Sequence, residues 1–157
     1  MNLTSTRVMQ RSDGIFSKVT RDDTGEQVFV VCEHAYLQPD GSYLPILQPG
    51  VYTCVRGMHN LPGSVVNNMQ TFIQFETFEV LGVFDAQGSK HTGILFVHFG
   101  NWETDSNGCS VCGSGFAVSA NPHDGMKLEE MVVNSRSTFT LFKGLQQGVD
   151  TFQLTVV

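Results

Sequence analysis

The residues with the clearest capacity for chemistry in this chain of 157 residues are one histidine and one cysteine. His98 ends an apolar stretch, and Cys109 directly follows Gly108, with ten residues between the histidine and the cysteine. A thiol with an ordinary pKa of about 8.5 becomes a nucleophile when a neighbouring base removes its proton, and a loop that folds back would bring His98 within reach. Gly108 has no side chain, which permits a sharp turn and lets backbone N–H groups near Cys109 face a developing oxyanion. The spacing predicts a Cys–His pair for acyl transfer, with Cys109 as nucleophile and His98 as general base.

The elements that must position this pair are expected to be β-strands. Apolar and polar residues alternate with a period of two over short stretches that end in Gly, Pro, Asn or Asp, which is typical of a mainly antiparallel β fold. Predicted strands cover residues 15–19, 27–32, 51–55, 71–83, 92–99 and 149–157. One helix is predicted over 135–143, with Asn134 or Ser135 as its N-cap and Gly144 as its end. Because no repeat or linker divides the chain, residues 1–157 are predicted to form a single domain, an antiparallel β sandwich or barrel.

Two segments are predicted to be irregular because they concentrate glycine, asparagine and proline. The first covers residues 57–68, and the second covers residues 101–125. Loops longer than about 12 to 15 residues inside a compact domain are usually functional or disordered. Since the second segment contains Cys109, it is predicted to be a long active-site loop.

These motifs resemble the catalytic domain of the L,D-transpeptidases, whose pattern is a strand-end His, a variable loop and then Ser-x-Gly-Cys. They are more similar to a family of small phage and bacterial proteins with the pattern His-x-Gly-Asn, Asp-x-x-Gly-Cys and a further Gly. Here that pattern occupies residues 98–101, 105–109 and Gly113, and residues 29–33, 48–52, 135–145 and 148–156 also match. The resemblance implies an L,D-transpeptidase-like β domain of phage or bacterial origin. It also implies acyl transfer or hydrolysis at peptidoglycan peptide bonds, through a thioester on Cys109.

Five residues near the two catalytic candidates are predicted to bind the substrate. They are Asn101, Trp102, Asp105, Ser106 and Asn107. Trp102 can be either a platform for the substrate or an anchor of the loop. The carboxylates of Glu103 and Asp105 are expected to raise the pKa of the Cys109 thiol, because the sequence between Lys90 and Lys127 contains no Lys or Arg to offset them.

Three differences from the transpeptidase pattern favour a second interpretation. Asn107 stands where the family usually has His, no Arg closely follows Cys109, and the loop between His98 and Cys109 is shorter than usual. The alternative is a non-catalytic structural or accessory protein of a phage virion that keeps the fold with a degenerate Cys–His site. Such a protein would associate with itself or with other phage proteins. A third interpretation uses the spacing of Cys109 and Cys112, which fits a redox dithiol or half of a zinc site.

Composition argues against several other function classes. The formal charge is −6 and no contiguous basic stripe occurs, so nucleic acid is not an expected partner. The longest apolar runs, residues 28–32 and 94–97, are too short for a membrane span or a signal peptide. No membrane partner, cofactor or metal is expected, and the four cysteines are expected to stay reduced. Virion and host cytoplasm both remain open as the location.

Overall fold

The computed structural model describes residues 1–157, most of which lie in β-strands. The strands are, in chain order, β1 (Leu3–Arg11), β2 (Gly14–Arg21), β3 (Gln27–Glu33), β4 (Tyr36–Leu37), β5 (Tyr43–Leu44), β6 (Gly50–Val66), β7 (Met69–Val80), β8 (Val83–Phe84), β9 (Lys90–His91), β10 (Phe96–His98), β11 (Ser110–Gly113), β12 (Gly115–Asn121), β13 (Lys127–Val133) and β14 (Thr151–Val156). The single α-helix, α1 (Ser135–Leu145), has Asn134 as its N-cap and continues one residue past Gly144, which was predicted to end it. The prediction of a mainly β fold with one short helix near the C-terminus is confirmed. No helix of the structure is long and apolar enough to cross a membrane.

Eight strands form one sheet in the order β10–β11–β3–β2–β1–β14–β6–β7. Its two edges approach each other, because Glu79 of β7 bridges Leu95 and the N–H of Val80 donates to the carbonyl oxygen of Ile94 at 2.8 Å. The sheet is therefore nearly closed into a barrel. Most neighbouring pairs are antiparallel as predicted, but β1 with β14 and β10 with β11 run parallel.

The core is a cluster of phenylalanine rings around α1. Phe142 is fully buried, and its ring packs edge-on against Phe29, Phe78 and Phe96, with centroids 5.6, 5.7 and 6.1 Å away. Such aromatic pairs contribute about 0.5–1.5 kcal/mol each beyond the burial of their area. The cluster holds β3, β7 and β10 against the helix, and so fixes the strand on which His98 lies.

The prediction of a loop over 57–68 is wrong, because β6 continues through most of these residues as one arm of a long hairpin. Only its first part, from Gly50 to Val55, also pairs with β14, so residues 57–76 project as a two-stranded segment, here called the ribbon. Asn67 and Asn68 turn at its tip with φ of 50° and 61°, the left-handed conformation that a tight hairpin needs. Pro62 fits the strand because its missing N–H would point to the outer edge, where no ladder bond is lost.

The prediction of an irregular segment over 101–125 is also largely wrong. It contains β11 and β12, and only residues 99–109 connect β10 to β11. Gly113 illustrates the cause of the error. A Cβ at this position would lie 2.6 Å from the Cβ of Val132 and 2.7 Å from the carbonyl oxygen of Val133. This glycine therefore permits close packing between strands rather than marking a loop.

Candidate functional site

His98 and Cys109 line the same cleft. His98 is the last residue of β10, and Cys109 directly precedes β11, the parallel neighbour of β10. The connecting loop folds back between the two strands and forms one side of a cleft of about 610 Å³, a size typical of ligand pockets. The predicted site residues that line it are His98, Asp105, Ser106, Asn107 and Cys109.

The imidazole of His98 is oriented as a proton acceptor. Its Nδ1 lies 2.8 Å from the carbonyl oxygen of Phe99. Because a carbonyl oxygen can only accept, Nδ1 carries the ring proton and Nε2 presents a free lone pair. His98 is only 1% exposed, and this burial lowers its pKa. The neutral ring is therefore the resting form at pH 7.

Backbone groups, rather than His98, hold the Cys109 thiol. The sulfur donates to the carbonyl oxygen of Gly93 at 3.6 Å and accepts the N–H of Leu95 at 3.2 Å. Burial raises the pKa of Cys109, and the Leu95 N–H and the Ser106 hydroxyl oppose this rise. The thiol and the imidazole are thus both neutral at rest, and no hydrogen bond joins them.

Two backbone donors beside the thiol are unused. The N–H groups of Gly108 and Cys109 make no hydrogen bond within the protein, whereas the next one, of Ser110, donates to the carbonyl oxygen of Leu95 at 3.0 Å. Gly108 has φ 119°, and a Cβ there would lie 2.6 Å from Cδ1 of Ile46. Only glycine accepts this turn without strain, and the turn leaves both predicted oxyanion donors free.

Asp105 organises the loop that carries the predicted substrate-binding residues. Its Oδ2 accepts the N–H groups of Asn101 at 2.7 Å and Trp102 at 3.0 Å. Trp102 is buried, and neither it nor Asn101 lines the cleft. The structure therefore brings Asp105, Ser106 and Asn107 to the cleft, while Trp102 has the position of a loop anchor.

The carboxylates that act on the thiol are not those expected from the sequence. The expected direction is observed, but burial is the main cause of the raised thiol pKa, followed among charges by Glu33 and Glu79 rather than Glu103 and Asp105. Glu103 is engaged elsewhere, 2.8 Å from Nδ1 of His34. No Lys or Arg lines the cleft, so only backbone donors and the Ser106 hydroxyl favour the thiolate.

Some cleft residues were not predicted from the sequence. His91 lines the cleft, with its Nε2 2.8 Å from Oδ2 of Asp85, and this hydrogen bond lowers the pKa of Asp85. Leu61 and Ile73 of the ribbon form an apolar wall. No local pattern marks Leu61 and Ile73, because closure of the barrel brings β6 and β7 to the site.

All four cysteines are free thiols in the structure. Cys112 faces the core, where burial raises its pKa to about 12. No group of three or more His, Cys, Asp or Glu side chains is arranged to hold a metal ion. Cys109 and Cys112 are therefore not joined by further side chains that could complete a metal site.

Comparisons with known proteins do not place the chain in a family. No protein-family model, curated protein or solved structure matches it. The resemblance to the L,D-transpeptidases stays a prediction from residues 98–101 and 105–109.

Proposed function

We propose that the protein is an L,D-transpeptidase-like cysteine enzyme of phage or bacterial origin that acts on peptide bonds of peptidoglycan. The observation that carries the proposal is the cleft lined by Cys109 and by His98, whose Nε2 lone pair is uncommitted, with the unbonded N–H groups of Gly108 and Cys109 at the turn before β11. A nucleophile, an oriented base and oxyanion donors are the parts that acyl transfer needs. The carbonyl oxygen of Phe99 supplies the third group that orients the base.

The reaction begins when His98 takes the thiol proton on Nε2. The Cys109 sulfur then bonds to the carbonyl carbon of the substrate, and the N–H groups of Gly108 and Cys109 stabilise the oxyanion that forms. The C–N bond breaks, and His98 returns its proton to the departing amine, which leaves a thioester on Cys109. Attack by a second amine completes acyl transfer, and attack by water completes hydrolysis.

Intact-protein mass spectrometry with purified muropeptides tests this proposal. The wild-type protein is expected to gain the mass of one acyl group on Cys109, and Cys109→Ala is expected to gain none. The three buried cysteines remain in that variant, so they control for non-specific acylation. His98→Gln is expected to slow acylation by roughly 10²- to 10⁴-fold, the usual contribution of a general base. If the wild-type protein forms no acyl-enzyme and turns over no muropeptide, the proposal is refuted.

A second candidate function is a non-catalytic structural or accessory role in a phage virion. The ribbon favours it, because residues 57–75 contain no charged side chain and expose Met58, Met69 and Phe72. Exposed apolar patches often mark contacts with other proteins. This role predicts concentration-dependent association in analytical ultracentrifugation, and slow alkylation of Cys109 that His98→Gln does not change. Stoichiometric, His98-dependent labelling at neutral pH would contradict it.

A further inference from the structure

One edge of β7 lies unpaired beside the cleft. β7 pairs with β6 along the hairpin, but its other edge is bridged only at Glu79, to Leu95. From Met69 to Phe75 that edge has no strand partner. Ile73 of this stretch lines the cleft together with Cys109. The cleft is therefore the place where the seam of the barrel opens.

The directions of the backbone groups on this edge follow from the ladder. The N–H of Val80 points away from β6, since it donates to the carbonyl oxygen of Ile94. N–H directions alternate along an antiparallel strand, so those of Gln74 and Phe72 point the same way. The pairing of Phe72 with Pro62, which has no N–H, agrees with this assignment. Neither outward N–H has a hydrogen-bond partner in the protein.

The chemistry of the edge suits an uncharged polypeptide. No charged residue occurs between Gly57 and Phe75 in a chain of net charge −6, and Met69, Phe72 and Ile73 are 70%, 64% and 40% exposed. Proteins usually protect free strand edges with charged side chains or cover them. This edge has neither protection, and the adjoining cleft has no Lys or Arg to attract an anion.

We propose that the free edge of β7 binds the main chain of an extended peptide substrate, which adds as a strand at the seam. The inference rests on the proposed function, because the added strand would run along the wall of the cleft that contains Cys109. Main-chain hydrogen bonds to Phe72 and Gln74 would supply affinity, and the apolar wall of Leu61 and Ile73 would select uncharged side chains. The substrate class is thus an extended peptide in which the side chains that face Leu61 and Ile73 are uncharged.

A proline substitution tests the edge without breaking the hairpin. Gln74→Pro removes one outward N–H from the cleft side of the ribbon. Asn60→Pro is the matched control, because Asn60 is the cross-strand partner of Gln74 and its N–H points to the opposite edge. Loss of one main-chain hydrogen bond is expected to weaken binding by roughly three- to tenfold.

Binding is measured in the Cys109→Ala background by NMR titration with two probes. The probes are the hexapeptide acetyl-Lys-Thr-Val-Gln-Val-Thr-amide and the peptidoglycan stem tetrapeptide. We expect the amide signals of Phe72 and Gln74 to shift, Gln74→Pro to weaken binding and Asn60→Pro to leave it unchanged. Equal effects of the two prolines, or binding without shifts on this edge, would overturn the inference.

A second pair of variants covers the case in which proline unfolds the ribbon. Phe72→Lys places a charge on the cleft-side strand at an exposed position, and Val65→Lys places one at a similarly exposed position, 65%, on β6. Only Phe72→Lys is expected to weaken binding.

If wild-type Cys109 forms a thioester at a rate that the β7 variants do not change, the inference fails and the proposed function stands. If a peptide binds the edge but no thioester forms, the proposed function fails and the binding edge stands.

Discussion

Glu33 is a buried carboxylic acid. When it ionises, its charge lowers the stability of the fold and disfavours ionisation of the Cys109 thiol. Glu33 is 2% exposed, and its Oε1 has no hydrogen-bond partner. Burial raises the pKa of Glu33 from 4.5 to about 7, although the charge of Arg7 acts in the opposite direction. The folded protein thus holds this proton more tightly than the unfolded chain does. Stability is therefore expected to fall as the pH rises from about 4.5 to about 7, and to level off above that.

The size of this effect follows from the two pKa values. The difference between 4.5 and about 7 corresponds to about 3 kcal/mol, at about 1.4 kcal/mol per pKa unit. Glu33→Gln keeps the shape of the protonated side chain and cannot ionise. We expect the variant to match the wild type at low pH and to exceed its free energy of unfolding by up to about 3 kcal/mol at pH 8. Glu33→Gln should also lower the pKa of Cys109, because the charge of Glu33 is one of the causes that raise this pKa.

Urea unfolding between pH 4 and pH 8 measures both curves. Glu26→Gln is the matched control, since it removes one negative charge from an exposed position just before β3. The free energy of unfolding of Glu26→Gln should follow the wild-type curve, whereas that of Glu33→Gln should lose the decline between about pH 4.5 and 7. Parallel curves for wild type and Glu33→Gln would show that Glu33 does not titrate in this range and would refute the reasoning.

Three further predictions concern the core and the cleft. Phe142→Ala should lower the free energy of unfolding by about 3–5 kcal/mol in urea melts, because it opens a cavity beside the rings of Phe29, Phe78 and Phe96. A loss below about 1 kcal/mol would contradict this packing. Gly108→Ala should cost about 1–3 kcal/mol and reduce acylation of Cys109, since a Cβ does not fit at φ 119° beside Ile46. An unchanged melting curve and acylation rate would show that the turn is not constrained. The rate of Cys109 alkylation by iodoacetamide should still rise above pH 9, because the thiol pKa is raised from 9.0, and a plateau below pH 8 would instead indicate a thiolate paired with protonated His98.

Features that depend on neighbours along the chain were predictable. Alternation of apolar and polar residues predicted the β character, and the N-cap candidates Asn134 and Ser135 predicted where α1 begins. The spacing of His98, Gly108 and Cys109 predicted that the ten-residue loop between the histidine and the cysteine could fold back, and all three lie where β10 and β11 meet. These are local properties, and backbone preference and loop length are sufficient to predict them.

Features that depend on pairing between distant segments were not predictable. Pro62 and the nearby glycines indicated a loop, because a sequence does not show whether a missing N–H lies on the paired or the free edge of a strand. Gly113 indicated flexibility but allows two strands to pack closely. The carboxylates nearest in sequence to Cys109 were expected to raise its pKa, whereas Glu33 acts on it from β3.

By itself, the sequence determined the mainly β class, the single helix and a cysteine and histidine close enough along the chain to meet. Only the tertiary structure decided that the thiol rests on Gly93 rather than on His98, and that burial raises its pKa. It also decided that the seam beside β7 stays open over the cleft. The physical reason is that hydrogen-bond partners and burial are set by closure of the barrel, which joins β7 to the segment before β10.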